Sequence, residues 1–162
     1  MDLKRYRGEG GCAPRNNSIK PEEAPGNRFI IQEHQAVGFH FDFKLEIKDK
    51  NNKVSVLHSW IIPKNIPLEP EVKHLAIKVD NESLRFLESD EESVNEKFSE
   101  VKLKVWDRGR WGLMRGDIEN GAISFNLFGK IIKARYTMQK LREDKKKNQK
   151  NHWVIWRVTG YK

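Results

Sequence analysis

Apolar and polar residues alternate with a period of two along much of the chain, and no stretch sustains the spacing of a long amphipathic helix. The clearest run is Phe39 to Ile47. Phe39, Phe41, Phe43, Leu45 and Ile47 share one face of the predicted strand, and His40, Asp42, Lys44 and Glu46 share the other. Arg28 to Glu33 opens a strand before it. Asp49-Lys50-Asn51-Asn52-Lys53 is turn material, so Val54 to Ile62 is expected to return as its hairpin partner, stopped by Pro63-Lys64-Asn65-Ile66-Pro67. Further strands are marked by Leu75, Ile77 and Val79, and by Val101, Leu103 and Val105. Others are marked by Ile123, Phe125 and Leu127 after the Asn120-Gly121 turn, and by Ile132 to Met138 after Gly129. Trp153 to Val158 closes the chain.

Residues 1–27, punctuated by glycine and proline, read as an irregular N-terminal arm. Helical turns are expected only over Pro67 to Val72 and Ser83 to Phe98, and the acidic segment Glu88 to Glu100 reads as a long exposed loop. Seven or eight strands without a long helix predict a mostly-β fold, a small antiparallel barrel or sandwich, in a single domain over residues 1–162.

Composition narrows the classes. One cysteine, Cys12, excludes an internal disulfide and a zinc site built from several thiolates. No run approaches the ~20 apolar residues of a membrane helix, and the charged N-terminus is not followed by the apolar stretch of a secretory signal. A reduced, cytoplasmic protein without a membrane partner is expected; the lack of an apolar stripe suited to a dimer interface points to a monomer. The formal net charge is +8. Residues 139–162 carry eight Lys or Arg and two acids, a net +6, so a basic loop and closing strand at the C-terminus suit a polyanion, nucleic acid being the commonest.

The polar face of the Phe39–Ile47 run carries the chemistry. His40 and Asp42, two residues apart on one strand face, project side by side ~7 Å apart. Imidazole with carboxylate suits a divalent transition metal. His34 lies six residues earlier, close enough for a turn or bulge to set it beside His40. Two histidines and one carboxylate leave positions open for catalysis. Lys44 and Glu46 suit a site for an anion, the lysine neutralising phosphate. Two other readings fit the same residues: a hydrogen-bonded surface His–Asp pair without metal, or a non-haem iron oxygenase triad of His40, Asp42 and the distal His74.

The chain resembles the 3′-phosphoesterase module of bacterial DNA ligase D and its stand-alone archaeal relatives. The resemblance runs through Arg28-Phe29-Ile30-Ile31-Gln32-Glu33-His34, His40-Phe41-Asp42-Phe43-Lys44-Leu45-Glu46 and Ser59-Trp60-Ile61-Ile62-Pro63-Lys64. It continues through His74-Leu75-Ala76-Ile77, Val105-Trp106-Asp107-Arg108-Gly109 and Trp153-Val154-Ile155-Trp156-Arg157. It implies a small β-barrel enzyme that uses manganese to heal 3′ ends of DNA, removing a 3′-terminal ribonucleoside and then the remaining 3′-phosphate. A separate ligase or polymerase is the partner this implies. By matching position, His34, His40 and Asp42 would be the metal ligands. Lys44 stands in for a phosphate-contacting arginine, Lys64 matches a lysine of the site rim, and Arg15 and Glu22 keep the spacing of two further site residues.

The chain departs from the pattern at three places. His74 replaces a second arginine, Glu82 and Phe86 stand where relatives carry a histidine and a tyrosine, and the loop after them lacks glycine. These changes bear most on phosphate-monoester removal, and a nucleic-acid-binding barrel that has lost catalysis is the alternative. Among the remaining candidates, His58 is expected to be packed and hydrogen-bonded, and His152 to lie at the surface. Trp106, Trp111, Trp153 and Trp156 are expected mostly in the core rather than as base-stacking platforms. No phosphate loop, nucleophile elbow or dinucleotide fingerprint is present.

Overall fold

The computed structural model describes residues 27–35, 38–48, 55–82, 84, 87, 91–93, 102–147 and 149–159. Among the described residues nine strands form, in chain order β1 (Arg28–Gln35), β2 (Phe39–Lys48), β3 (Ser55–Ile62), β4 (Lys73–Glu82), β5 (Glu91–Ser93), β6 (Lys102–Asp117), β7 (Ala122–Gly129), β8 (Lys133–Lys140) and β9 (His152–Arg157). They are hydrogen-bonded in the order β1-β2-β3-β4-β9-β8-β7-β6-β5, and β1 also pairs with β6. Eight antiparallel strands therefore close into a ring, with β5 added along β6. Closure leaves the eight strands of the ring without a free edge to pair elsewhere.

The alternation seen in the sequence becomes an inside and an outside. Phe43 and Leu45 of β2 join Phe29, Ile31, Trp60, Phe125, Leu127, Tyr136, Met138, Trp153 and Ile155 in one buried cluster. Its aromatic rings touch in sequence: Phe43 stacks on Phe125 and Phe125 on Tyr136, while Trp60 meets Trp153 edge-on. Trp111 and Trp153 are core residues and Trp106 packs against the core, as expected; Trp156 lies under Lys73, whose Nζ is 4.9 Å from the ring centre. Outside the barrel wall, Ile30, Leu57 and Leu87 form a second buried cluster with Leu84 and Val105 packed on it. The outward faces of β1, β2 and β3 are thus partly roofed over, which buries polar groups that a plain sheet would leave wet.

β6 is where the ring turns. Its first half pairs with β1 and its second with β7, and both pairings meet at Gly109 and Arg110. A Cβ at Gly109 would overlap the Phe128 carbonyl, so only glycine allows this approach. Asp107, the carboxylate of the Trp106-Asp107-Arg108-Gly109 motif, is buried and accepts backbone N–H bonds from Lys130, Ile131 and Ile132 at 2.8–3.2 Å. It fastens the β7–β8 turn to β6.

Several expectations change. Val101 to Val105 was expected to be a short strand; β6 instead runs sixteen residues, because Gly109 and a bulge at Leu113/Arg115 let one strand serve two neighbours. Pro67 to Val72 holds no helical turn: Pro70 bridges to Arg157, and the Val72 N–H reaches the Glu69 carbonyl at 3.5 Å across a turn in which Glu71 takes φ 66°. Leu84 and Leu87, within the Ser83 to Phe98 stretch expected to hold helical turns, are in 3-10 conformation, and a further short 3-10 turn lies at Lys145–Lys147. Within the acidic segment, Glu91–Ser93 is a strand on β6 rather than loop. The Asn120-Gly121 turn stands as read, with Gly121 at φ 81°. His58 is packed as expected, but its Nδ1 is buried with no hydrogen-bond partner among the described residues, and burial pushes its imidazole down to about 4. Most of the 1–27 arm and of Ser83 to Phe98 lies outside the described residues. No helix among the described residues is long and apolar enough to cross a membrane.

Replacing Asp107 by alanine leaves those turn amides without their acceptor, so Asp107→Ala is expected to cost about 3 kcal/mol in denaturant unfolding, and Asp107→Asn clearly less. A loss under 1 kcal/mol for the alanine variant would show that the turn does not depend on this carboxylate.

Candidate metal centre

β1 and β2 form a tight antiparallel hairpin whose register sets the site. His34 is directly opposite His40, Gln32 opposite Asp42, Ile30 opposite Lys44 and Arg28 opposite Glu46. All eight are on the outward face, because Phe29, Ile31, Phe43 and Leu45 point inward. The turn expected to bring His34 beside His40 is the hairpin tip, where Gly38 takes φ 150°.

The two imidazole rings stand 4.6 Å apart, centre to centre, with Asp42 below them. His34 Nδ1 donates to Asp42 Oδ2 at 3.1 Å, and His40 Nε2 lies 3.2 Å from Asp42 Oδ1. One ligating atom from each of the three residues lies within 4.8 Å of the others. Asp42 is buried while both histidines remain half open, so the carboxylate forms the floor and the rings the walls. Burial holds the His40 imidazole below its ordinary value; Asp42 opposes this, and His34 and Lys44 reinforce it. A neutral imidazole is the form that ligates a metal.

The floor continues along β2. Lys44, whose side chain is 3% exposed, places Nζ 2.6 Å from Glu82 Oε1 and donates to Ser59 Oγ at 3.3 Å. Glu82 is 30% exposed overall, but the oxygen that meets the lysine is buried. Lys44 is therefore no solvated cation awaiting a phosphate but a buried one already paired. Next along the strand, Glu46 makes a two-pronged bond to the Arg28 guanidinium, at 2.7 and 2.9 Å, and its backbone carbonyl accepts from Trp111 Nε1. Glu46, expected to serve an anion site, is structural.

The other expected site residues separate. His74, at the start of β4, donates Nδ1–H to the Asn65 carbonyl at 2.7 Å, since a carbonyl only accepts. It is not in the His34–His40–Asp42 cluster, which takes from the iron-oxygenase reading its third ligand. Lys64 is exposed two residues beyond Ile62, which pairs with Phe41, so it belongs to the same end of the barrel as the histidines. His152 is half-buried rather than at the open surface. Arg15, Glu22, Phe86 and Cys12 lie outside the described residues.

Two residues escaped the reading of the sequence. Ser59, directly opposite Lys44, is the hydroxyl that steadies the lysine; its place in the Ser59-to-Lys64 motif was the available signal. Gln32, opposite Asp42, is buried with its Oε1 lacking a hydrogen-bond partner among the described residues. It lies on a strand whose parity already faced it toward the site.

A closed eight-stranded antiparallel ring bearing two histidines and a carboxylate on its outer wall is a small-barrel scaffold with a candidate metal centre. A family model for the DNA ligase D 3′-phosphoesterase domain matches residues 32–140. The chain is 33% identical over 163 aligned residues to the multifunctional non-homologous end joining protein LigD of Mycobacterium bovis. It is equally similar to the non-homologous end joining DNA repair protein LigD of Mycobacterium tuberculosis; each alignment covers 94% of this chain and 21% of the relative. With the LigD protein of Pseudomonas aeruginosa it shares 32% identity over 112 residues, 67% of this chain and 13% of that protein. The chain belongs to the DNA ligase D 3′-phosphoesterase domain family. It spans about a fifth of the length of the Mycobacterium relatives.

Glu82→Ala should cost on the order of 2–4 kcal/mol, because it strips a buried ammonium of its nearest carboxylate. Adding Lys44→Met should return more than half of that loss, which a double-mutant cycle read by urea unfolding measures. Strictly additive losses would mean that the two charges do not stabilise one another.

Proposed function

We propose that the chain is a divalent-metal-dependent phosphoesterase acting on 3′ ends of DNA, with manganese as the metal, and that its favoured reaction releases a 3′-terminal ribonucleoside. The carrying observation is the convergence of His34, His40 and Asp42 beside an open face. Family membership supplies the substrate class, since the relatives are named as non-homologous end joining proteins. A DNA end, and a ligase or polymerase that uses the healed end, are the corresponding partners, in the cytoplasm.

The donor set fits the ion. Two imidazole nitrogens and a carboxylate oxygen suit Mn²⁺ and its neighbours, and atoms already within 4.8 Å need shifts of only ~1 Å to coordinate together. Once bound, the ion would polarise a phosphoryl oxygen and acidify a water. The chain does the rest. Asp42, rigid in the floor, fixes the position, and the histidines define the direction of approach. His74, its Nδ1 committed to Asn65, has Nε2 left to hydrogen-bond a phosphate or pass a proton, and Lys64 supplies mobile positive charge at the same end. Water adds to phosphorus, the bond to the departing nucleoside's 5′ oxygen breaks, and a 3′-phosphate remains for a second hydrolysis.

The second hydrolysis is the slower one. A terminal monoester brings about one more negative charge, and the Lys44–Glu82 pair offers it no net positive charge. Where Glu82 faces that phosphate within ~5 Å, an effective dielectric near 20 makes the repulsion about 3 kcal/mol before screening. The competing reading, a nucleic-acid-binding barrel without catalysis, draws on the same observation, because the cation beside the triad is already taken.

A primer–template ending in one ribonucleotide, incubated with manganese, tests both. Nucleoside release is expected at least tenfold faster than phosphate release. His40→Ala should abolish both while changing DNA affinity by less than about threefold, since affinity comes from many phosphate contacts spread over the surface. Glu82→Gln should narrow the gap between the two steps. Equal wild-type rates would remove the role given to Glu82, and no cleavage at all would favour the binding barrel.

A further inference from the structure

Away from the metal face, the outward side of β6, β7 and β8 has a composition of its own. β7 stands two places round the ring from β1. Register places Arg110 of β6, Phe128 of β7 and Lys133 of β8 in one cross-strand row, and Gly112, Asn126 and Arg135 in the next. Neither row contains a carboxylate. Phe128 is 52% exposed, although every other phenylalanine of β2 and β7 except Phe39 is packed inward or against the core. Its ring lies over Gly112, where a Cβ would already be in contact with it, so the absent side chain gives the ring a flat seat and leaves its other side open.

Some of the bonds made by the cations around it go to neutral groups. Arg135 Nε donates to Asn126 Oδ1 at 3.2 Å, and its Nη2 reaches Met114 Sδ at 3.6 Å. Lys133 Nζ donates to the Gly129 carbonyl at 2.6 Å. Arg110 Nε is buried without a hydrogen-bond partner among the described residues. The carbonyl bond fixes the direction of the Lys133 ammonium without cancelling its charge. Lys130, in the turn beside Phe128, adds a further exposed cation.

We propose that this face is a second nucleic-acid contact, in which an unpaired base stacks on Phe128 while Arg110, Lys130 and Lys133 meet the flanking phosphates. An exposed aromatic ring between cations is the arrangement that single strands recognise, since stacking needs an unpaired base and tolerates any sequence. Duplex DNA has its bases already stacked and would meet only the charges. Because the surface lies apart from His34, His40 and Asp42, it needs neither a 3′ end nor a metal, and the inference stands whether or not the chain is a phosphoesterase.

The probe is a covalently closed oligo-dT circle, which has no end, titrated against the whole chain in EDTA by fluorescence anisotropy. Phe128→Ala should weaken binding about tenfold, and Phe128→Trp should restore it. Lys130→Gln with Lys133→Gln should weaken binding and make the salt dependence shallower by between one and two ions. His40→Ala should leave it unchanged. Unaltered affinity in Phe128→Ala would overturn the proposal and leave the C-terminal lysine run as a purely electrostatic contact. Failure of Phe128→Trp to recover affinity would overturn the stacking role, and equal affinity for a closed duplex circle would overturn the preference for single strands.

Discussion

The pairing of β1 with β2 in one register holds the site and the core together. Because a strand presents alternate residues to opposite sides, the pairing that sends Phe29, Ile31, Phe43 and Leu45 into the barrel also sends His34, His40, Asp42 and Lys44 out of it. A slip of one residue would put charges in the core and the phenylalanines in water, so the register is fixed by many buried contacts at once. The candidate metal centre inherits that rigidity. His34 and His40 need no long-range loop to meet; they are a cross-strand pair beside a hairpin tip.

The outer wall is more than a solvated sheet. Ile30, Leu57 and Leu87, with Leu84 and Val105, cover part of it, and beneath that cover Gln32, Lys44 and Ser59 are almost fully buried. Charges removed from water must be paired there. Lys44 with Glu82 and Arg28 with Glu46 meet that demand. The two pairs have different consequences. Arg28–Glu46 ties the start of β1 to the end of β2, whereas Lys44–Glu82 sits beside the candidate metal centre and neutralises a buried cation there.

The barrel was largely legible because alternation in Phe39 to Ile47, Ile123 to Leu127 and Trp153 to Val158 reports inside and outside directly. The full length of β6 was not, since its second half owes its pairing to Gly109 and to Asp107 holding the Lys130–Ile132 turn, contacts that link residues far apart in sequence. Likewise His34, His40 and Asp42 could be grouped from spacing, because all three lie on one hairpin. The partner of Lys44 could not: Glu82 reaches it only through the β3–β4 pairing, which sets Leu57 opposite Glu82 across a bulge. Local pattern reveals which way a side chain points; tertiary pairing decides whether a charge there is free or spent.

The claim on which the account turns is that Asp42 and the two imidazoles bind one ion together. Electron spin-echo spectroscopy of the chain with one equivalent of manganese tests it most directly. The account predicts one bound Mn²⁺ coupled to two imidazole nitrogens, one coupling lost in His34→Ala and the other in His40→Ala, with binding lost in Asp42→Ala. Manganese that binds with no nitrogen coupling, or with couplings untouched by both histidine substitutions, would contradict it.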